Sequence, residues 1–142
     1  MMNTMDEKEI VKEAESWLRT PWKHNVSLKG WGTDCIQFIV SLYKTYGWLN
    51  NDFETGIYTR DWALHNSRSL LLEGLDKVCV KKELSERIIG DIITFTYGKT
   101  VSHVGMYIGN DEVIHVHIRQ GVTKTNLDRL TDKLTSVWRI KS

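Results

Sequence analysis

Hydrophobic positions along the chain change period once. Over residues 6–18, Ile10, Val11, Ala14, Trp17 and Leu18 recur at helical spacing, with acidic residues early. Pro21 stops the pattern, because the residue before a proline avoids the helical region. Residues 22–33, with Gly30 and Gly32, read as a loop. A second helix is predicted over 35–46, stopped by Gly47. Its apolar face is Ile36, Ile39, Val40 and Tyr43, widened by Phe38 and Leu42, so it should be buried on much of its circumference. Residues 50–87 carry the weakest signal. Short helices are predicted over 58–65 and 67–72, and a strand at 78–80. From Asp91 the period becomes two: strands are predicted over 92–97, 101–108, 112–118, 121–125 and 136–140. Gly109-Asn110-Asp111 between two apolar runs predicts a hairpin turn. Helices first and an antiparallel meander second imply an α+β fold rather than βαβ units.

Composition narrows the function classes. One domain spanning residues 1–142 is expected, long enough to bury a core without staples. A formal net charge of +1 with 26% charged residues gives no basic footprint for nucleic acid and no argument for an anionic membrane surface. No stretch approaches the roughly 20 apolar residues of a membrane span. The first residues lack the basic start and apolar run of a secretory signal, so cytoplasmic synthesis is expected. Two cysteines, Cys35 and Cys79, are too few for a disulfide scaffold. Cys79 reads as a plain buried residue.

Three residues change the picture. Cys35 follows Gly32-Thr33-Asp34 and opens a predicted helix. Unpaired backbone N–H groups and the positive end of the helix dipole favour a thiolate there. Taken alone it is as readily a small buried hydrophobe. His103 lies in an apolar strand, where a histidine is usually a satisfied core or edge residue. His115 lies twelve residues later, across the hairpin turn. Both numbers are odd, so regular strands put both side chains on one face. A turn centred on residue 109 sets them opposite or nearly so. That pairing is what a thiol nucleophile requires: His103 takes the proton of Cys35, and His115 accepts from the other ring nitrogen and fixes the tautomer. The backbone N–H of Cys35 could serve an oxyanion hole. His117 shares the face of His115 and would orient the base instead under a shifted register. With Cys35, His103 and His115 it could also ligate zinc. Asp34 reads as the N-cap of the second helix. His24 is either an exposed loop side chain or part of a pocket wall, and Trp22 and Trp31 are the tryptophans best placed to touch a ligand.

Four blocks resemble the NlpC-type branch of the papain-like cysteine peptidases, a family of bacterial and phage peptidoglycan hydrolases. They are Trp17-Leu18-Arg19-Thr20-Pro21-Trp22, Gly32-Thr33-Asp34-Cys35, Gly90-Asp91-Ile92-Ile93-Thr94-Phe95, and Ser102-His103-Val104-Gly105-Met106-Tyr107-Ile108-Gly109 followed by Val113-Ile114-His115. The resemblance implies a papain-like fold, with the nucleophile at a helix start packed on an antiparallel sheet. It implies a Cys35, His103, His115 triad, and substrate contacts from Trp22, His24, Asp34 and Ser102. It also implies hydrolysis of an amide in the peptidoglycan stem peptide, usually between γ-D-glutamate and a diamino acid, with no metal or organic cofactor. Trp22-Lys23-His24-Asn25-Val26-Ser27-Leu28-Lys29-Gly30 and Tyr58-Thr59-Arg60-Asp61-Trp62 resemble the phage-associated members. For those, tail proteins are the expected partners and a tail-like particle the expected carrier to the wall.

The chain departs from the family pattern in three places. Trp22 stands where a tyrosine is usual, and an indole offers one donor and no acceptor. Gln37 stands where a small residue is usual, which bears on helix packing or the pocket wall. Ile89 replaces a common proline. Two other functions fit the same blocks: a papain-like hydrolase or acyltransferase acting on another amide or thioester, and a wall-binding module without catalysis.

Overall fold

A computed structural model describes residues 5–55 and 70–141. Helix α1 (Glu7–Glu15) starts at Asp6, whose carboxylate accepts the Lys8 N–H at 3.0 Å. It buries Ile10 and Ala14. The helix ends three residues short of the expected Leu18, which is left exposed. Arg19 takes a left-handed conformation, φ 74°, and its N–H donates to Val122 O at 2.9 Å. The expected loop carries a small ladder, β1 (Ser27–Leu28) paired antiparallel with β2 (Gly32–Thr33).

Helix α2 (Cys35–Thr45) buries Phe38, Ile39, Val40, Leu42 and Tyr43, the broad burial its sequence predicts. Gly47 follows it with φ 79°. Helix α3 (Leu70–Val78) runs into strand β3 (Cys79–Lys82), so Val78 closes a helix instead of opening a strand. The helix expected over 58–65 lies outside the described residues. Of the one expected over 67–72, residues 70–72 open α3.

The other strands are β4 (Ile92–Tyr97), β5 (Thr100–Tyr107), β6 (Glu112–His117), β7 (Gly121–Asn126) and β8 (Leu134–Ile140). They form an antiparallel sheet of order β3-β8-β4-β5-β6-β7. The architecture is the α+β arrangement expected from the period change, with the papain-like layout that the family resemblance implies.

Alternation along the strands builds two apolar layers. Ile92, Val104, Met106, Ile114, Val116 and Trp138 pack with the helices in the main core. Ile93, Phe95, Val113 and Val137 face the other way and close with Leu127 into a second cluster. Asp91, almost fully buried, accepts from Arg139 Nε at 2.9 Å and Nη2 at 2.8 Å, which ties β8 to the entrance of β4. It also accepts the Ile88 N–H at 2.9 Å, holding the turn before β4.

Candidate active site

Cys35 owes its place to Asp34. One carboxylate oxygen of Asp34 accepts the Gln37 N–H at 2.8 Å and caps α2, and the other accepts the Asn25 N–H at 2.6 Å. A single buried carboxylate therefore fixes both the start of the helix and the loop before it. Gln37 reinforces the same junction, donating from its side-chain amide to Asn25 Oδ1 at 2.9 Å and Thr55 Oγ1 at 3.2 Å. The departure at residue 37 is thus a cross-link of the loop. Trp22 is held beside Thr33 by a parallel bridge, with the Thr33 N–H on Pro21 O and the Lys23 N–H on Thr33 O. Gly121 lets this loop lie against β7. Its φ is +72°, and a Cβ there would stand 2.3 Å from Thr20 O.

His103 is aimed by an irregularity in β5. Phe95 pairs with His103 and Thr96 with Val101, so Ser102 is an extra residue, a β-bulge. Val101 packs in the main core, while His103 faces the second layer, its ring 5.8 Å from that of Phe95. Without the bulge the two would share a face. Across the hairpin, Gly105 pairs with His115. The turn is centred between Asn110 and Asp111, both in the left-handed region at φ 53° and 58°, with the Glu112 N–H on Gly109 O. This is the two-residue turn whose twist suits a hairpin. The strand pairing itself is centred on Asn110, one residue later than expected, so His103 and His115 are diagonal neighbours rather than directly opposed. The diagonal is closed by a hydrogen bond of 2.9 Å between His103 Nε2 and His115 Nδ1. Gly105 leaves room for it: a Cβ there would lie 2.6 Å from Val113 Cγ2 and 3.0 Å from His115 Cβ.

Cys35, His103 and His115 line one cavity of about 330 Å³. The four expected substrate contacts, Trp22, His24, Asp34 and Ser102, line it too. With His103 Nε2 committed to His115, its Nδ1 is the ring atom left for the thiol. Burial pushes the Cys35 thiol up to about 12, with the Asp34 carboxylate adding to the rise; backbone N–H groups of Val104, Ile36 and Cys35 itself act against it. Burial lowers His103 to about 3, and His115 and His117 push in the same direction. His115 is lowered to about 4, again mainly by burial. Each group taken singly is neutral near pH 7.

Some expectations are displaced. His117 is exposed, and its Nδ1 accepts the N–H groups of Arg119 and Gln120 at 3.1 and 3.2 Å, so it caps the following turn although it lines the cavity. Trp31 is 72% exposed at the tip of the β1–β2 ladder and does not line the cavity. Cys79 is buried and, like Cys35, a free thiol. Sequence reading missed two participants. Tyr97 lines the cavity with its ring edge-on to His103 at 5.9 Å. Thr125 Oγ1 lies 2.8 Å from His115 Nε2. Only strand register could have pointed to Thr125, since a threonine on a strand is otherwise just a good β-former.

Comparison with known proteins agrees with this architecture. No curated protein matches the chain. Among solved structures, the NlpC/p60 domain of the peptidoglycan hydrolase SagA superposes with a TM-score of 0.66 at 16% identity, covering 97% of this chain and 100% of that one. An NlpC/P60 family protein from Bacillus cereus superposes with a TM-score of 0.72 at 20% identity, but this chain spans only 41% of its length. NlpC2 from Trichomonas vaginalis gives 0.64 at 18%, with half of that chain covered. These likenesses concern the fold. The NlpC/P60 family model matches residues 19–139, from the loop before Trp22 to the last strand, and the chain belongs to that family.

Proposed function

We propose that the protein is a cysteine peptidase that hydrolyses an amide in the peptide stem of peptidoglycan, with Cys35 as nucleophile, His103 as base and His115 orienting the base. The observation that carries this reading is the junction of two constructions at one cavity: a thiol at the capped start of α2, and an imidazole whose far nitrogen is held at 2.9 Å by a second imidazole. Family membership supports the substrate class, as does the likeness to a domain described as that of a peptidoglycan hydrolase. The bond between γ-D-glutamate and a diamino acid is the proposed target. Delivery by a phage tail-like particle, with tail proteins as partners, is the proposed setting and rests on the sequence blocks around Trp22 and Trp62.

The chemistry proceeds through a thioester. The Cys35 proton passes to His103 Nδ1 as sulfur attacks the carbonyl carbon. The oxyanion that forms is stabilised by N–H groups at the start of α2. The C–N bond breaks, His103 returns the proton to the leaving amine, and an acyl group remains on sulfur. Water then attacks the thioester carbonyl, giving its proton to His103, and the carboxylic acid leaves as the thiol reforms. Trp22, His24, Asp34 and Ser102 form the proposed walls for the stem peptide.

The opposed shifts of thiol and imidazole make a testable signature. With Cys35 raised to about 12 and His103 lowered to about 3, the pair shares one proton over the whole intervening range. The fraction present as thiolate–imidazolium is then independent of pH. Alkylation of Cys35 by iodoacetamide should be flat between pH 5 and 9, whereas an isolated thiol gains about tenfold per pH unit up to about 8.5. Cys35→Ala should abolish release of amine from purified stem peptides while leaving the circular dichroism spectrum unchanged. Undiminished hydrolysis by that variant, or the rising profile of an isolated thiol, would overturn the reading.

A further inference from the structure

We propose that Thr125 is a positioning residue of this site, the terminal acceptor for the His115 N–H once His103 carries the proton of Cys35. The inference rests on the cysteine–imidazole reading above. Three strands carry one diagonal line of side chains: His103 on β5, His115 on β6 and Thr125 on β7. His115 pairs directly with Gly105, two residues beyond His103, and with Thr123, two residues before Thr125, so the line steps by two residues at each strand. The contacts along the line are 2.9 Å from His103 Nε2 to His115 Nδ1 and 2.8 Å from His115 Nε2 to Thr125 Oγ1.

A neutral histidine in the orienting position is ambiguous in a way that a carboxylate is not. A carboxylate only accepts, but imidazole carries its proton on either nitrogen. If His115 holds it on Nδ1, His115 donates to His103 Nε2, which forces the His103 proton onto Nδ1, where it blocks uptake from the thiol. If His115 holds it on Nε2, its Nδ1 accepts from His103 and the base is correctly set. The Thr125 hydroxyl can bond either form while the pair is neutral. Once His103 carries the proton of Cys35, both of its nitrogens donate, and only the Nε2–H form of His115 is compatible. Thr125 must then accept. With that oxygen removed, the charge-separated pair keeps an unpaired His115 N–H on a buried ring, whereas the neutral pair can shift to the Nδ1–H form, so the loss falls selectively on the charge-separated state.

The test is a pair of variants matched in shape. Thr125→Val keeps the β-branched outline and loses the hydroxyl; Thr125→Ser keeps the hydroxyl. At pH 7 the Cys35 alkylation rate should fall about tenfold in the valine variant, equivalent to about 1.4 kcal/mol of ion-pair stabilisation. It should stay within about twofold of wild type in the serine variant, and both should melt close to wild type. A valine variant that alkylates like wild type overturns the proposal. So does an equal fall in both variants, which would mark a packing effect. Iodoacetamide needs no peptide, so failure to cleave wall peptides would sink the proposed function while leaving the status of Thr125 to these measurements.

Discussion

At residue scale, the site depends on what is missing as much as on what reacts. Gly105 pairs with His115, and any side chain there would press on Val113 Cγ2, Ile114 O and His115 Cβ. Val113 is fully buried and cannot give way, so the histidine is the group that moves. We therefore expect Gly105→Ala to destabilise the fold by about 1–3 kcal/mol, the usual range for overpacking a close-packed site. Because displaced imidazoles lose their 2.9 Å contact, kcat/KM should fall more than tenfold. Denaturant midpoints and stem-peptide kinetics measured on one preparation separate the two effects, and wild-type kinetics would show that His115 does not depend on the gap. Cys35, His103 and His115 stand out in the sequence because their pattern is rare: a cysteine opening a helix, and two histidines in phase across a hairpin. The residues that aim them do not. Ser102, Gly105 and Thr125 are ordinary on a strand, and their roles arise from a bulge and from pairing register, which alternation alone does not encode.

At element scale, legibility followed periodicity. Strands β4 to β8 were read within one or two residues because two apolar layers demand strict alternation. Helix α2 was read because it is buried nearly all round. Where periodicity fails, so did the reading: the β1–β2 ladder has two residues per strand, too few to show a period, and α1 stops early because its last turn feeds a loop that bonds to β7. The element that most concerns function is the start of α2, and there Asp34 has two structural duties on its two oxygens. Asp34→Asn should keep the cap on Gln37 but turn an amide donor toward the Asn25 N–H. Asp34→Ala loses both contacts. Stability should fall in the order wild type, Asn, Ala, with the alanine variant down by about 1–3 kcal/mol for a lost cap and an unsatisfied loop amide. Equal midpoints for the asparagine and alanine variants in urea would mean that the Asn25 contact contributes nothing beyond the cap.

At the scale of the whole molecule, the buried titratable groups confine stability to a window of pH. Burial lowers His103 to about 3 and His115 to about 4, whereas an unfolded histidine titrates near 6.5. As pH falls from about 6.5 toward 4, the unfolded chain binds protons that the folded chain refuses, so folding stability drops. For His115 the difference amounts to on the order of 3 kcal/mol by pH 4. At the other end, burial raises Cys35 and Cys79 from 9.0 to about 12. Above pH 9 the unfolded thiols ionise first, so stability falls again as pH rises. Between these limits neither pair of groups adds a slope. The urea midpoint should therefore form a plateau from about pH 6.5 to 9 with a fall on each side. Carboxylates also contribute to the acid limb, so the decisive comparison is His115→Asn against wild type. The variant should lose less stability between pH 6.5 and 4.5, while its alkaline limb stays the same. Parallel acid limbs would mean that His115 is solvated in the folded state, and the neutral imidazole pair on which the proposed proton transfer depends would then have to be abandoned.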